Sequence, residues 1–186
     1  MNGMHPSTLF HGSSLVEVLV TLVLLTLGLL GASLLHVSSL RARHESALAS
    51  SAAQLAASIA ERLRGNSTAR DAYLGIDITT DDSAPADGAA PACHAGAGCS
   101  ALQLAQFDLA DWRMQLRTAL PGARLRICRD LPVASAFADE LTWDCSGGTG
   151  APVVIKLGWR GRLAAAASPN SAGAPKLVWQ VAGGAP

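Results

Sequence analysis

A chain of 186 residues with 14 basic and 14 acidic side chains carries no net charge, so it lacks the whole-chain electrostatic footprint of a nucleic-acid binder. Its length suits one membrane or filament helix and one small head domain. The histidines (His5, His11, His36, His44 and His94) have no partner for a triad or a metal-bound water, and no G-x-x-x-x-G-K-[ST] loop occurs, which argues against an enzyme.

The first element is the apolar run behind Gly12-Ser13-Ser14. From Leu15 to Leu35 about 21 residues hold one acid, Glu17, and no base, enough to cross a hydrocarbon core of roughly 30 Å at 1.5 Å per residue. A secretory signal peptide has an apolar core of only about 7–15 residues, shorter than this run. A carboxylate at membrane depth costs roughly 2.5 kcal/mol or more, so a segment that carries Glu17 is one that must find a positive partner. Gly28 and Gly31 interrupt the run, either for close helix–helix packing or as a point of easy unwinding. The helical pattern then continues: Leu48, Ala52, Leu55, Ile59 and Leu63 recur at steps of three and four, a single apolar stripe. Arg62 and Arg64 in the last turn, followed by Gly65-Asn66, end the helix. From Leu15 to Arg64 it would span about 75 Å, so its outer half needs a head domain along the stripe.

Ser67 to Ser100 is rich in Ala, Gly, Pro, Asp and Thr, with Asp71, Asp77, Asp81, Asp82 and Asp87 as an acidic run. It reads as a long surface loop with a short helix or strand around Ala72–Ile78. Asp108 is the expected N-cap of a second helix, with Asp111 in its first turn. Leu109, Trp112, Leu116 and Leu120 form its buried stripe, and Pro121-Gly122 stops it. Alternation then marks strands at Arg124–Cys128, Glu140–Cys145, Pro152–Trp159 and Lys176–Ala182. Gly147-Gly148-Thr149-Gly150 is the clearest turn, and Ala164–Pro175 a longer loop. Trp143, Trp159 and Trp179 share the parity of their strands' apolar faces, so core packing is preferred to a ligand role. Arg113, Arg117, Arg124, Arg126 and Arg129 read as a solvated helix and strand face rather than a basic patch. The elements together predict an α+β fold, a long N-terminal helix packed on a small antiparallel sheet.

Cys93, Cys99, Cys128 and Cys145 form an even set behind a membrane segment, the pattern of disulfides in an oxidising compartment. Three pairings are open, and the local one, Cys93–Cys99 with Cys128–Cys145, is expected. Closing the second loop is worth about 3 kcal/mol on the chain-entropy argument. With no C-x-x-C, and only His94 beside Cys93, no metal site and no cofactor is expected.

Gly12-Ser13-Ser14-Leu15-Val16-Glu17-Val18-Leu19-Val20 resembles the class III leader junction of type IV pilins and pseudopilins. The resemblance implies that a prepilin peptidase cuts after Gly12 and methylates Ser13. It makes Glu17 the fifth mature residue, which neutralises the N-terminus of a neighbouring subunit and sets filament register, as a buried ion pair does when only one register pairs it. The expected divisions are a leader at 1–12, a membrane or filament-core half-helix at 13–36 and its second half at 37–66. A variable loop region at 67–107 and a head of helix plus antiparallel sheet at 108–186 complete them.

Further along, Phe107-Asp108-Leu109-Ala110-Asp111-Trp112-Arg113, Leu120-Pro121-Gly122, Ile127-Cys128-Arg129-Asp130, Trp143-Asp144-Cys145 and Val153–Trp159 resemble PilV, the type IV pilus modification family of minor pilins. Leu27-Gly28-Leu29-Leu30-Gly31 does so too. The implied role is a structural subunit assembled into a type IV pilus or priming one. The implied partners are the prepilin peptidase, other major and minor pilins, the pilus assembly platform, and inner-membrane lipid before assembly. The implied location is the bacterial inner membrane, crossed once with a cytoplasmic N-terminus and a periplasmic head, and then the extracellular pilus. The positive-inside count over Arg41 and Arg43 points to the opposite orientation. Two other readings share these features, a type II secretion pseudopilin and a tip-exposed minor pilin contacting DNA or a host surface.

Overall fold

A computed structural model describes residues 14–80, 93, 98–131, 141–148, 150–161 and 173–181. The chain divides into two compact units, with the boundary between His44 and Glu45. One helix, α1 (Leu15–Gly65), contributes to both. Ser14 starts it: the Ser14 hydroxyl accepts from the Val16 N–H at 3.3 Å, and its carbonyl accepts from Glu17 and Val18. In the first unit every residue from Leu15 to His44 is exposed.

In the second unit the stripe expected from steps of three and four is buried. Leu48, Ala52, Leu55, Ile59 and Leu63 are joined by Ala56 and Ala60. Asn66 follows α1, its N–H donating to the Arg62 carbonyl at 2.9 Å. Its buried side chain then donates to the Tyr73 hydroxyl and the Ala101 carbonyl, which turns the chain into a short 3-10 helix, Ser67–Tyr73.

Four strands, β1 (Ile76–Thr79), β2 (Arg124–Arg129), β3 (Val153–Gly158) and β4 (Leu177–Gln180), form one antiparallel sheet in the order β1-β2-β3-β4. Its register pairs Ile127 with Ile155 and Leu125 with Leu157. These four side chains are buried together with the α1 stripe and with Trp112 and Leu116 of the second helix, α2 (Ala101–Ala119). Tyr73 and Trp112 pack with ring centroids 5.4 Å apart. A long helix, a small antiparallel sheet and a second helix are thus the α+β fold expected from the sequence.

Three expectations are corrected. The second helix begins at Ala101, not at Asp108. Ser100 is its N-cap and exchanges side-chain and backbone hydrogen bonds with Gln103, while Asp108 is buried within the helix. Within Glu140–Cys145 the described residues 141–145 form no strand; the short helix or strand expected around Ala72–Ile78 is both, the 3-10 helix ending at Tyr73 and then β1. The strand parity of Trp143 therefore never applies. Trp143 lies on the outer sheet face, where a Cβ added to Gly158 would meet its ring at 2.8 Å. Trp159 is buried as expected, but Trp179 is 37% exposed because β4 is short and its pairing is with β3 alone among the described strands.

Candidate functional site

Between Leu15 and Leu40, sixteen positions carry large apolar side chains whose exposure runs from 44% at Val37 to 88% at Leu15. An 18-residue window of α1 has a mean hydropathy of 2.5 and none of it is buried by the chain. A helix apolar on every side has to be surrounded by something apolar, lipid or other helices. Its hydroxyls are closed internally: Thr21 donates to the Val18 carbonyl, Thr26 to Val23 and Ser33 to Leu29. This i−3 or i−4 back-bonding removes any need for an outside partner. The Glu17 carboxylate, in the first turn and exposed, is then the one formal charge between Leu15 and Leu40. The helix N-terminus supplies partial positive charge there, less than a full cation. Gly12 and Ser13 lie outside the described residues.

The head presents a second feature, residues 141–148, a strap that crosses the outer face of the sheet. Cys145 is bonded to Cys128 of β2, and Cys93 to Cys99. Lys156 of β3 is 3% exposed, and its ammonium reaches the Asp130 carboxylate at 2.5 Å and the carbonyls of Thr142 (3.0 Å) and Asp144. The other oxygen of Asp130 accepts from the Ser146 N–H at 2.9 Å and its hydroxyl at 2.6 Å. Burial alone would raise the Asp130 carboxyl, but the hydrogen bonds from Lys156 and Ser146 and the nearby positive charge outweigh it. They hold the group at about 2, below the ordinary 3.8. Trp143 stacks on the Arg124 guanidinium at 4.5 Å and donates to the Gly173 carbonyl. Between strap and sheet lies a cavity of 640 Å³ lined by Leu141, Cys145, Val154, Val178 and Gln180 among others. With three acceptors already on its three protons, Lys156 has none left to offer an occupant.

Inside the head, Arg62 of α1 reaches Asp108 at 2.8 Å and Asp111 at 2.7 Å, both on α2. The Tyr73 hydroxyl donates to Asp108 at 2.7 Å. Burial, then the hydrogen bond to Asp108, pushes the Tyr73 phenol up, so it stays a donor. Where unit two begins, Glu45 accepts from Lys176 at 2.8 Å and from the Trp159 indole at 3.2 Å. Of the five arginines on the helix and strand face, Arg124 binds Asp77 through two bonds of 2.8 and 2.6 Å, and Arg129 donates to the Ala151 carbonyl. Charge committed this way is not displayed to a phosphate. Among the described residues no group of three or more His, Cys, Asp or Glu is placed to hold a metal ion.

Sequence reasoning missed both buried networks. One signal was available: Lys156 interrupts Val153-Val154-Ile155-Lys156-Leu157, and a lysine inside an apolar strand has to find acceptors on the face it occupies.

Residues 34–110 match a family model described as Tt1218-like, type IV pilin Tt1218. The matched stretch runs from the exposed part of α1 through β1 into α2. No curated protein matches the chain, and no solved structure does.

Proposed function

We propose that this chain is a pilin-like structural subunit, a minor pilin of the PilV type. It is made with a leader ending at Gly12, held in the inner membrane by α1, and drawn into a type IV pilus or its priming complex. One observation carries the reading: an all-round apolar helix surface from Leu15 to Leu40, bare of its own chain, with Glu17 as its lone charge. Lipid satisfies the apolar surface, but it leaves the carboxylate uncompensated. A bundle of like helices satisfies both when the amino group of Ser13 on one subunit meets Glu17 on another. Each charge is costly alone, so the pair specifies register. The family match over residues 34–110 supports the pilin-like part of this reading.

The test is mass spectrometry of the intact chain and its N-terminal peptide, from sheared pili and from membranes. A chain starting at Ser13 in the sheared fraction is the expected result. A chain retaining Met1–Gly12 in every fraction overturns the proposal and leaves a membrane-anchored domain.

A further inference from the structure

Cys145 is held from both sides by bonds that do not involve its sulfur. The carbonyls of Thr142 and Asp144 bind the Lys156 ammonium, and Ser146 binds Asp130 through both its N–H and its hydroxyl. Gly147 adds an N–H to the Arg129 carbonyl at 3.1 Å, and the Leu131 N–H donates to the Ser146 hydroxyl at 2.8 Å. The groups that do the holding flank Cys128: Asp130 follows it by two residues on the same chain segment, and Val154, its opposite in the register, precedes Lys156 by two.

We propose that Lys156 and Asp130 form a non-covalent clamp that seats the strap before the disulfide closes, and so select Cys145 as the partner of Cys128. A buried ammonium is tolerated only where acceptors replace its water. Three acceptors meet Lys156 only when Thr142 and Asp144 stand in their observed places, and the second oxygen of Asp130 keeps its donors only when Ser146 does. Sliding the strap by one residue would withdraw the Asp144 carbonyl and the Ser146 donors together, and would leave a charged pair buried with open valences. The clamp is therefore a register device, and the register it sets puts the two sulfurs within bonding reach.

The chemistry is thiol–disulfide exchange with a small disulfide oxidant, such as oxidised glutathione. The Cys145 thiolate, on the more exposed residue of the two, attacks the oxidant. One sulfur of the oxidant leaves as a thiolate, and the other stays as a mixed disulfide. The Cys128 thiolate then attacks the Cys145 sulfur, forming Cys128–Cys145 and releasing the second glutathione thiolate. The two protons lost by the cysteines end on the two released thiols. The clamp acts in this second step, by keeping Cys145 beside Cys128 against competition from Cys93 and Cys99.

Two measurements on the full chain in detergent micelles test the proposal, and neither depends on the pilin reading. In the C128S/C145S double variant the clamp is intact and the disulfide absent. The Trp143 indole resonance, identified with W143F, and the exchange protection of the Ser146 amide are expected to persist. Their loss would show that the disulfide orders the strap, and would overturn the proposal. In the second measurement, reduced wild type and K156M are reoxidised with oxidised glutathione and their disulfides mapped by mass spectrometry. K156M is expected to form Cys128–Cys145 about tenfold more slowly, from the weight of charge-assisted hydrogen bonds, and to accumulate the other pairings. Equal rate and pairing, with the Trp112 core signal retained, would also overturn it. Should K156M lose the Trp112 signal, the double variant alone decides.

Discussion

Among the described residues Glu17 has no cation beside it, whereas Asp108 is enclosed by Arg62 and Tyr73. The two carboxylates call for opposite experiments. Replacing Glu17 with Gln should leave the chain in the membrane, since it removes the costly group there. If the proposed function holds, it should reduce the protein in sheared pili about tenfold or more, the scale of a lost buried pairing; immunoblots of sheared and membrane fractions read this. Replacing Arg62 with Met should cost the head about 2 kcal/mol, because the buried Asp108 carboxyl loses its charged donor. Urea unfolding followed by tryptophan emission measures it.

Asp130 gives a pH dependence whose sign is set by its depressed value of about 2. Its ionised form is favoured in the folded state, so its stabilisation is complete above about pH 4 and disappears as pH falls through about 2. The shift corresponds to about 2 kcal/mol. Urea midpoints taken down this range should fall for the wild type and stay flatter for D130N.

At the scale of elements, α2 shows how a local signal was available and passed over. Ser100-Ala101-Leu102-Gln103 is a capping box, Ser with Gln three residues on, and the structure closes both of its hydrogen bonds. Asp108 looked like a cap because an acid before an apolar run often is one. Its actual role depends on Arg62, 46 residues earlier in the chain, which no local pattern reports. Replacing Ser100 with Ala should cost about 1 kcal/mol, seen as a lower melting temperature in circular dichroism. The strap shows the converse failure. Leu141, Trp143 and Cys145 alternate as a strand would, but alternation says only which residues share a face if the segment pairs. Held by its carbonyls to Lys156 and by Ser146 to Asp130, the segment crosses the face of the sheet instead of joining an edge.

For the whole molecule, the division between His44 and Glu45 separates a part whose described residues are all exposed from the part that holds the core. A chain begun at Glu45 should stay in solution without detergent and retain the buried Trp112 environment. The full chain should need detergent or lipid. Sedimentation after detergent removal, with tryptophan emission on the soluble fraction, checks both.

Sequence alone determined the long helix, its exposed apolar half with Glu17, its buried stripe from Leu48 to Leu63, and the strands around Arg124–Cys128, Pro152–Trp159 and Lys176–Ala182. Each of these follows from a periodicity of 3.6 or 2, and a period is a local property that the chain carries before it folds. The tertiary structure decided the pairing of β1 with β2, the strap, and the partners of Asp108, Asp130, Lys156 and Glu45. Those depend on which groups distant in sequence arrive together, and a buried charge is settled only by the acceptors that meet it.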